Sequence, residues 1–101
     1  MGELLLESNN NSGRAMMKSI YKYPIEVVDE QEVSMPIGAK ILCVQLQYGK
    51  PCLWVEVNLD EAVHEKRKVF VHGTGNRYEE HQRYIGTFQL SNGNFVFHVF
   101  E

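Results

Sequence analysis

The sequence predicts an all-β protein, a small antiparallel sandwich or partly open barrel of six to seven short strands. Two observations carry this. Apolar residues recur with period two in short runs broken by Gly, Pro and Asn, and no long segment shows the 3.6-residue period of a helix. The last eighteen residues, Tyr84 to Glu101, also read as a β-hairpin around Asn92-Gly93. Both central positions of a type I′ turn need φ > 0, which Asn and Gly tolerate best.

The elements follow in order. Residues 1–16 differ from the rest. Leu4-Leu5-Leu6 has no basic residue ahead of it and is too short for a signal-peptide core, and Asn9 to Gly13 has linker composition. The expectation is a leader over 1–16, added ahead of a start at Met17 or else a native arm, and a single β domain over 17–101. Ser19 to Tyr23 is β-prone and stops at Pro24, which places it at an edge or a strand end. Ile25 to Val28 continues it after a bend. Glu32 to Met35 is a brief strand closed by Pro36, with a turn at Gly38.

The clearest pair comes next. Lys40 to Tyr48 alternates Leu42, Val44 and Leu46 against Cys43, Gln45 and Gln47. Cys52 to Asn58 alternates Leu53, Val55 and Val57 against Cys52, Trp54 and Glu56, and Gly49-Lys50-Pro51 connects the two runs. Asn58 to Glu65 holds the one short segment compatible with a helical turn. Lys66 to His72 is a fifth run, ending in Gly73-Thr74-Gly75, and a charged loop spans Asn76 to Arg83. In the terminal hairpin, Phe95 to Phe100 is apolar on both faces except for His98. Such a strand lies inside a sheet or beneath a partner. Neighbours in sequence are expected to be neighbours in the sheet.

Composition bounds function. The 101 residues carry a formal net charge of −3, which gives no electrostatic drive toward nucleic acid. No apolar run approaches the ~18 residues of a membrane span. Cys43 and Cys52 flank a tight turn, where a cross-strand disulfide is geometrically accessible. Without a secretory signal, two reduced thiols packed as small apolar groups are the expectation.

His64, His72, His81 and His98 lack the short fixed spacing of a metal site, so neither a metal nor a cofactor is expected. His72 and His98 fall on strands that can be neighbours. Thr74, between two glycines, is the one hydroxyl in a suggestive setting, but no base stands at a diagnostic spacing. The Lys66-Arg67-Lys68 cluster reads as a solvated strand entry beside Glu61 and Glu65.

Several segments resemble a family of small uncharacterised proteins of tailed bacteriophages and prophages. They are Tyr23-Pro24, Met35-Pro36, Gly38 to Leu42, Val44-Gln45, Pro51 to Trp54, Gly73-Thr74-Gly75, Tyr84 to Phe88 and Phe97 to Glu101. The likeness runs from about Lys18 to Glu101. It implies a phage-encoded accessory protein in the cytoplasm of an infected or lysogenic bacterium, and it implies no reaction.

The residues themselves suggest a non-enzymatic binding protein. Apolar and aromatic side chains on both strand faces favour a homo-oligomer and a host or phage protein partner. Tyr21, Tyr23, Trp54, Phe95, Phe97 and Phe100 are the expected interaction surface. A small anionic, nucleotide-like ligand sequestered during counter-defence is the second reading, at His72, Gly73, Thr74, Gly75 and Arg77 with Lys68 nearby, where glycines and cations suit an anion. A structural component of the virion is the third.

Overall fold

The structure, a computed structural model, describes residues 15–101; the expectation for residues 1–16 falls almost wholly outside them. Seven strands form two antiparallel sheets: β1 (Lys18–Pro24), β2 (Glu30–Pro36), β3 (Lys40–Gln47), β4 (Lys50–Asn58), β5 (His64–Gly73), β6 (Tyr84–Leu90) and β7 (Phe95–Phe100). One sheet has the order β1-β4-β3 and the other β2-β5-β7-β6. The fold is a sandwich. Only two pairings, β3–β4 and β6–β7, join consecutive strands. The expectation of mostly sequential neighbours is corrected: the chain crosses between the sheets after β1, β2 and β4, so that β1 pairs with β4, β2 with β5 and β5 with β7.

The core follows from alternation. Leu53, Val55 and Val57 of β4 face inward, opposed by Val69 and Val71 of β5, Phe88 of β6 and Val99 of β7, all 4% exposed or less. At about 25 cal/mol per Å² of apolar area, this shared face is the main stabilising element. Ile25 is also buried, and its N–H donates to Pro51 O. Residues Ile25 to Val28 therefore form a loop rather than continuing β1.

Strand β3 departs from plain alternation. A register shift between Ile41 and Cys43 marks a bulge at Leu42, so Ile41 and Val44 turn inward while Leu42 and Leu46 are exposed. An extra residue reverses the pleat beyond it. The β3–β4 connection is likewise shorter than expected. Gln47 pairs with Lys50, the turn is Tyr48-Gly49, and Lys50-Pro51 belongs to β4. Asn58 to Glu65 holds no helical turn: Asn58 ends β4, His64 opens β5, and 59–63 make a simple turn closed by Glu61 N–H donating to Asn58 O.

Strand β7 is an inner strand, between β5 and β6. Its inward Val99 meets the core. Its outward Phe100 is covered by the loop after β5, with the Tyr78 ring centroid 4.3 Å away. Within β7, Val99 and Phe100 are thus covered by the chain itself, whereas Phe95 at its start is exposed. Cys43 and Cys52 are both free thiols. Cys43 is half-buried opposite Trp54, and Cys52 is buried opposite Gln45.

At the end of the strands remote from the hairpin turns, Arg67 binds both sheets. Its Nη1 donates to Ala39 O at 2.8 Å and its Nη2 to Glu101 at 3.0 Å. Arg83 also pairs with Glu101, and Arg83 and Glu101 exchange two backbone hydrogen bonds.

Candidate functional site

Register places four connections at one end of the sandwich. They are the β1–β2 loop, the β3–β4 turn Tyr48-Gly49, the β5 exit Gly73-Thr74-Gly75 and the β6–β7 turn at Ser91 to Asn94. The loop is tied down by Ile25 N–H to Pro51 O, by Val71 N–H to Asp29 O and by the Glu26–Lys50 ion pair at 3.2 Å. In the β6–β7 turn Asn92 and Gly93 take φ of 57° and 90°, and Asn94 N–H donates to Ser91 O. The left-handed φ expected of Asn92 and Gly93 are present, but Ser91 is left-handed too, at φ 52°, and the connection runs over four residues between Leu90 and Phe95.

The β3–β4 turn also takes left-handed φ, but Tyr48 occupies its first position at φ 51°, followed by Gly49 at 77°. Tyr48 is 99% exposed. A bulky side chain in this region is strained, and asparagine or glycine would relieve it. Full exposure means that no contact among the described residues compensates. At the same end Val27, Val28, Leu46 and Phe95 are exposed apolar groups. The opposite end also exposes Ile37, Leu59, Val63 and Tyr84, but none of these has a left-handed φ.

A cleft of about 700 Å³ runs between the free edges of β3 and β6, from Val44 and Phe88 to Gly49 and Asn92. It is closed at one end where Gly86 lies against Val44: a Cβ at Gly86 would sit 2.8 Å from Val44 Cγ1. Bulges at Leu42 and Ile85 interrupt these two edges, a common device for limiting further strand pairing.

The Gly73-Thr74-Gly75 segment lies beside the hairpin. His72 and His98 are directly opposed across β5 and β7, yet they serve different groups. His72 Nε2 donates to Gln82 Oε1 at 2.8 Å, and its ring packs among Phe70, Tyr78 and Phe100. The partner of Thr74 is His98: Thr74 Oγ1 lies 2.8 Å from His98 Nε2. His98 Nδ1 lies 2.9 Å from Thr87 Oγ1, which is 2.6 Å from the Tyr84 hydroxyl. Beside Thr74 is a groove of about 370 Å³, lined by Gly73, Thr74, Asn94, Phe95, Val96 and Phe97.

Among the anion-site residues, Thr74 N–H already donates to Val96 O and Asn76 N–H to Gly73 O. Gly75 takes φ 90° and Arg77 is exposed. Lys68 is drawn away to Glu30 on β2, at 3.3 Å.

The expected interaction residues do not form one patch. Tyr21 and Phe95 are exposed, Tyr23, Trp54 and Phe97 are half-buried, and Phe100 is buried. Phe100 is therefore removed from any contact surface. Tyr23 has its hydroxyl pKa raised above 10.0 by desolvation, with the neighbouring Tyr21 adding to the shift. Among the described residues no three His, Cys, Asp or Glu side chains converge as metal ligands, and no helix is long and apolar enough to cross a membrane.

The missed residues have identifiable signals. Tyr48 stood in a place where only a two-residue turn would reveal it. His98 could have been linked to Thr74 and Thr87 once β7 was set between β5 and β6.

Fold and site define a seven-stranded antiparallel sandwich with an aromatic turn and a hydroxyl–imidazole chain at one end. The chain belongs to the DUF7352 family, a domain of unknown function, whose model matches residues 16–101. No curated protein and no solved structure matches it.

Proposed function

We propose that this protein is a non-enzymatic binding domain that engages another protein through its hairpin-turn end. Tyr48 carries the proposal, being fully exposed in a backbone conformation that costs stability. Strain held without internal compensation is characteristic of functional positions. Tyrosine is also among the residues most enriched at binding hot spots, because it offers a large rigid contact with a polar tip. Phe95 and Leu46, exposed at the same end, supply apolar area, while the Lys50–Glu26 pair supplies part of a polar rim.

The resemblance to small phage and prophage proteins supports a host or phage protein as the partner, met in the bacterial cytoplasm. A second copy of the chain is the other protein that could occupy this end. In β7, Val99 and Phe100 are covered by the core and Tyr78, which leaves Phe95 as the exposed apolar residue of that strand for either partner.

The test is site-specific photo-crosslinking in a bacterial host. A benzophenone side chain at position 48 or 95 should give a discrete adduct, and one at Glu32 on the exposed edge strand should not. Mass spectrometry of the adduct separates a second copy from another protein. Adducts at Val63 with none at 48 would refute the assignment.

A further inference from the structure

We infer that Thr74 is a covalent modification site, an acyl-accepting nucleophile activated by His98 and positioned through Thr87. The inference does not rest on partner binding through Tyr48. The Thr74 hydroxyl proton has two acceptors within reach, His98 Nε2 at 2.8 Å and Val96 O at 3.4 Å. When Thr74 donates to His98 Nε2, as activation by His98 requires, the ring proton sits on Nδ1. That N–H then donates to Thr87 Oγ1 at 2.9 Å. Nε2 is left as a base facing the nucleophile, and Nδ1–H is held by an oxygen that fixes the ring. This is the division of labour between the two ring nitrogens found wherever a histidine activates a hydroxyl. Here the orienting oxygen belongs to a threonine, itself held by the Tyr84 hydroxyl at 2.6 Å.

The surroundings suit an acyl group. Thr74 is exposed and flanked by glycines, so its Oγ is open to approach. The next backbone donor, Gly75 N–H, has no backbone acceptor among the described residues. It is free to meet a developing oxyanion. The adjoining groove of about 370 Å³ has Phe95 and Phe97 in its wall, and these suit an apolar acyl chain.

The substrate class is an activated carboxylic ester. Thr74 Oγ attacks the carbonyl carbon as its proton passes to His98 Nε2. The new Oγ–C bond forms, the C–O bond to the leaving oxygen breaks, and the proton moves from Nε2 to that oxygen. The products are an ester on Thr74 and a free alcohol or phenol, with no change of oxidation state.

The test uses the full chain and p-nitrophenyl acetate, following p-nitrophenolate release and mapping the acetyl group by peptide mass spectrometry. One acetyl group on Thr74 is expected, accompanied by stoichiometric release. Thr74→Val should lose it, and Thr74→Ser, which keeps the hydroxyl in case valine disturbs the turn, should retain it. His98→Gln should slow acylation by about 100-fold or more. Thr87→Val should slow it while Thr87→Ser restores it, with melting temperatures unchanged. Acetyl groups confined to lysines or to His98, or labelling that is undiminished in Thr74→Val, would overturn the inference.

Discussion

Replacing Gly86 with alanine tests how the two sheets meet. The added Cβ would sit 2.8 Å from Val44 Cγ1, and 3.6 Å and 3.7 Å from the Val44 backbone N and O. Val44 cannot easily yield: it is 4% exposed, and its branched side chain is stiff at χ1. Gly86 has no left-handed φ, so the conflict is one of space alone. Overpacking of this kind costs about 1–3 kcal/mol. Loss of glycine's freedom in the unfolded chain offsets about 0.4–1 kcal/mol. The expected net loss is about 1–2 kcal/mol, or roughly 4–16 °C in Tm for a domain of this size. Val44→Ala removes buried methyl groups and costs about 2 kcal/mol by itself. In the double variant the new methyl group occupies space vacated by the valine, so the two losses should fall short of additive by at least about 0.5 kcal/mol. Urea unfolding of the four proteins measures this. A neutral Gly86→Ala, or strict additivity, would refute the close approach of β3 and β6.

Two further outcomes follow from the ion cluster and from β1. Glu101→Gln removes the carboxylate shared by Arg67 and Arg83. It should lower stability by about 1–3 kcal/mol in urea unfolding, and Arg83→Ala, at the more exposed partner, should cost less; the reverse order would contradict the clasp. Tyr23 has its pKa raised in the folded state, so the folded chain holds this proton more tightly than the unfolded one. The stability it contributes is present below pH 10 and declines as pH rises from there through the folded pKa. Tyr23→Phe should flatten that part of the stability profile, and an unchanged slope would remove the effect.

Much of the fold was legible because one period governs it. The inward set Leu53, Val55 and Val57 needed only alternation, and Asn92-Gly93 needed only the steric demand of φ > 0. Other features depend on non-local packing. Nothing in Lys40 to Gln47 marks Leu42 as a bulge, because the extra residue is set by how β3 meets β4 and β6. The burial of Phe100 depends on Tyr78, more than twenty residues earlier in the chain. The strand order was illegible for the same reason: β1 finds β4 and β2 finds β5 across long separations, which no local pattern encodes. In the candidate site, Gly73-Thr74-Gly75 was visible as a glycine-flanked hydroxyl. Its base was not, because His98 reaches it only through the β5–β7 register.

The most direct test of the binding end is Tyr48→Asn, measured for stability and crosslinking together. Asparagine tolerates φ 51° better than tyrosine. Tm is therefore expected to stay level or rise, while the adduct formed through a benzophenone at position 95 is lost. A fall in Tm with the adduct retained would mean that Tyr48 serves the fold and not a partner.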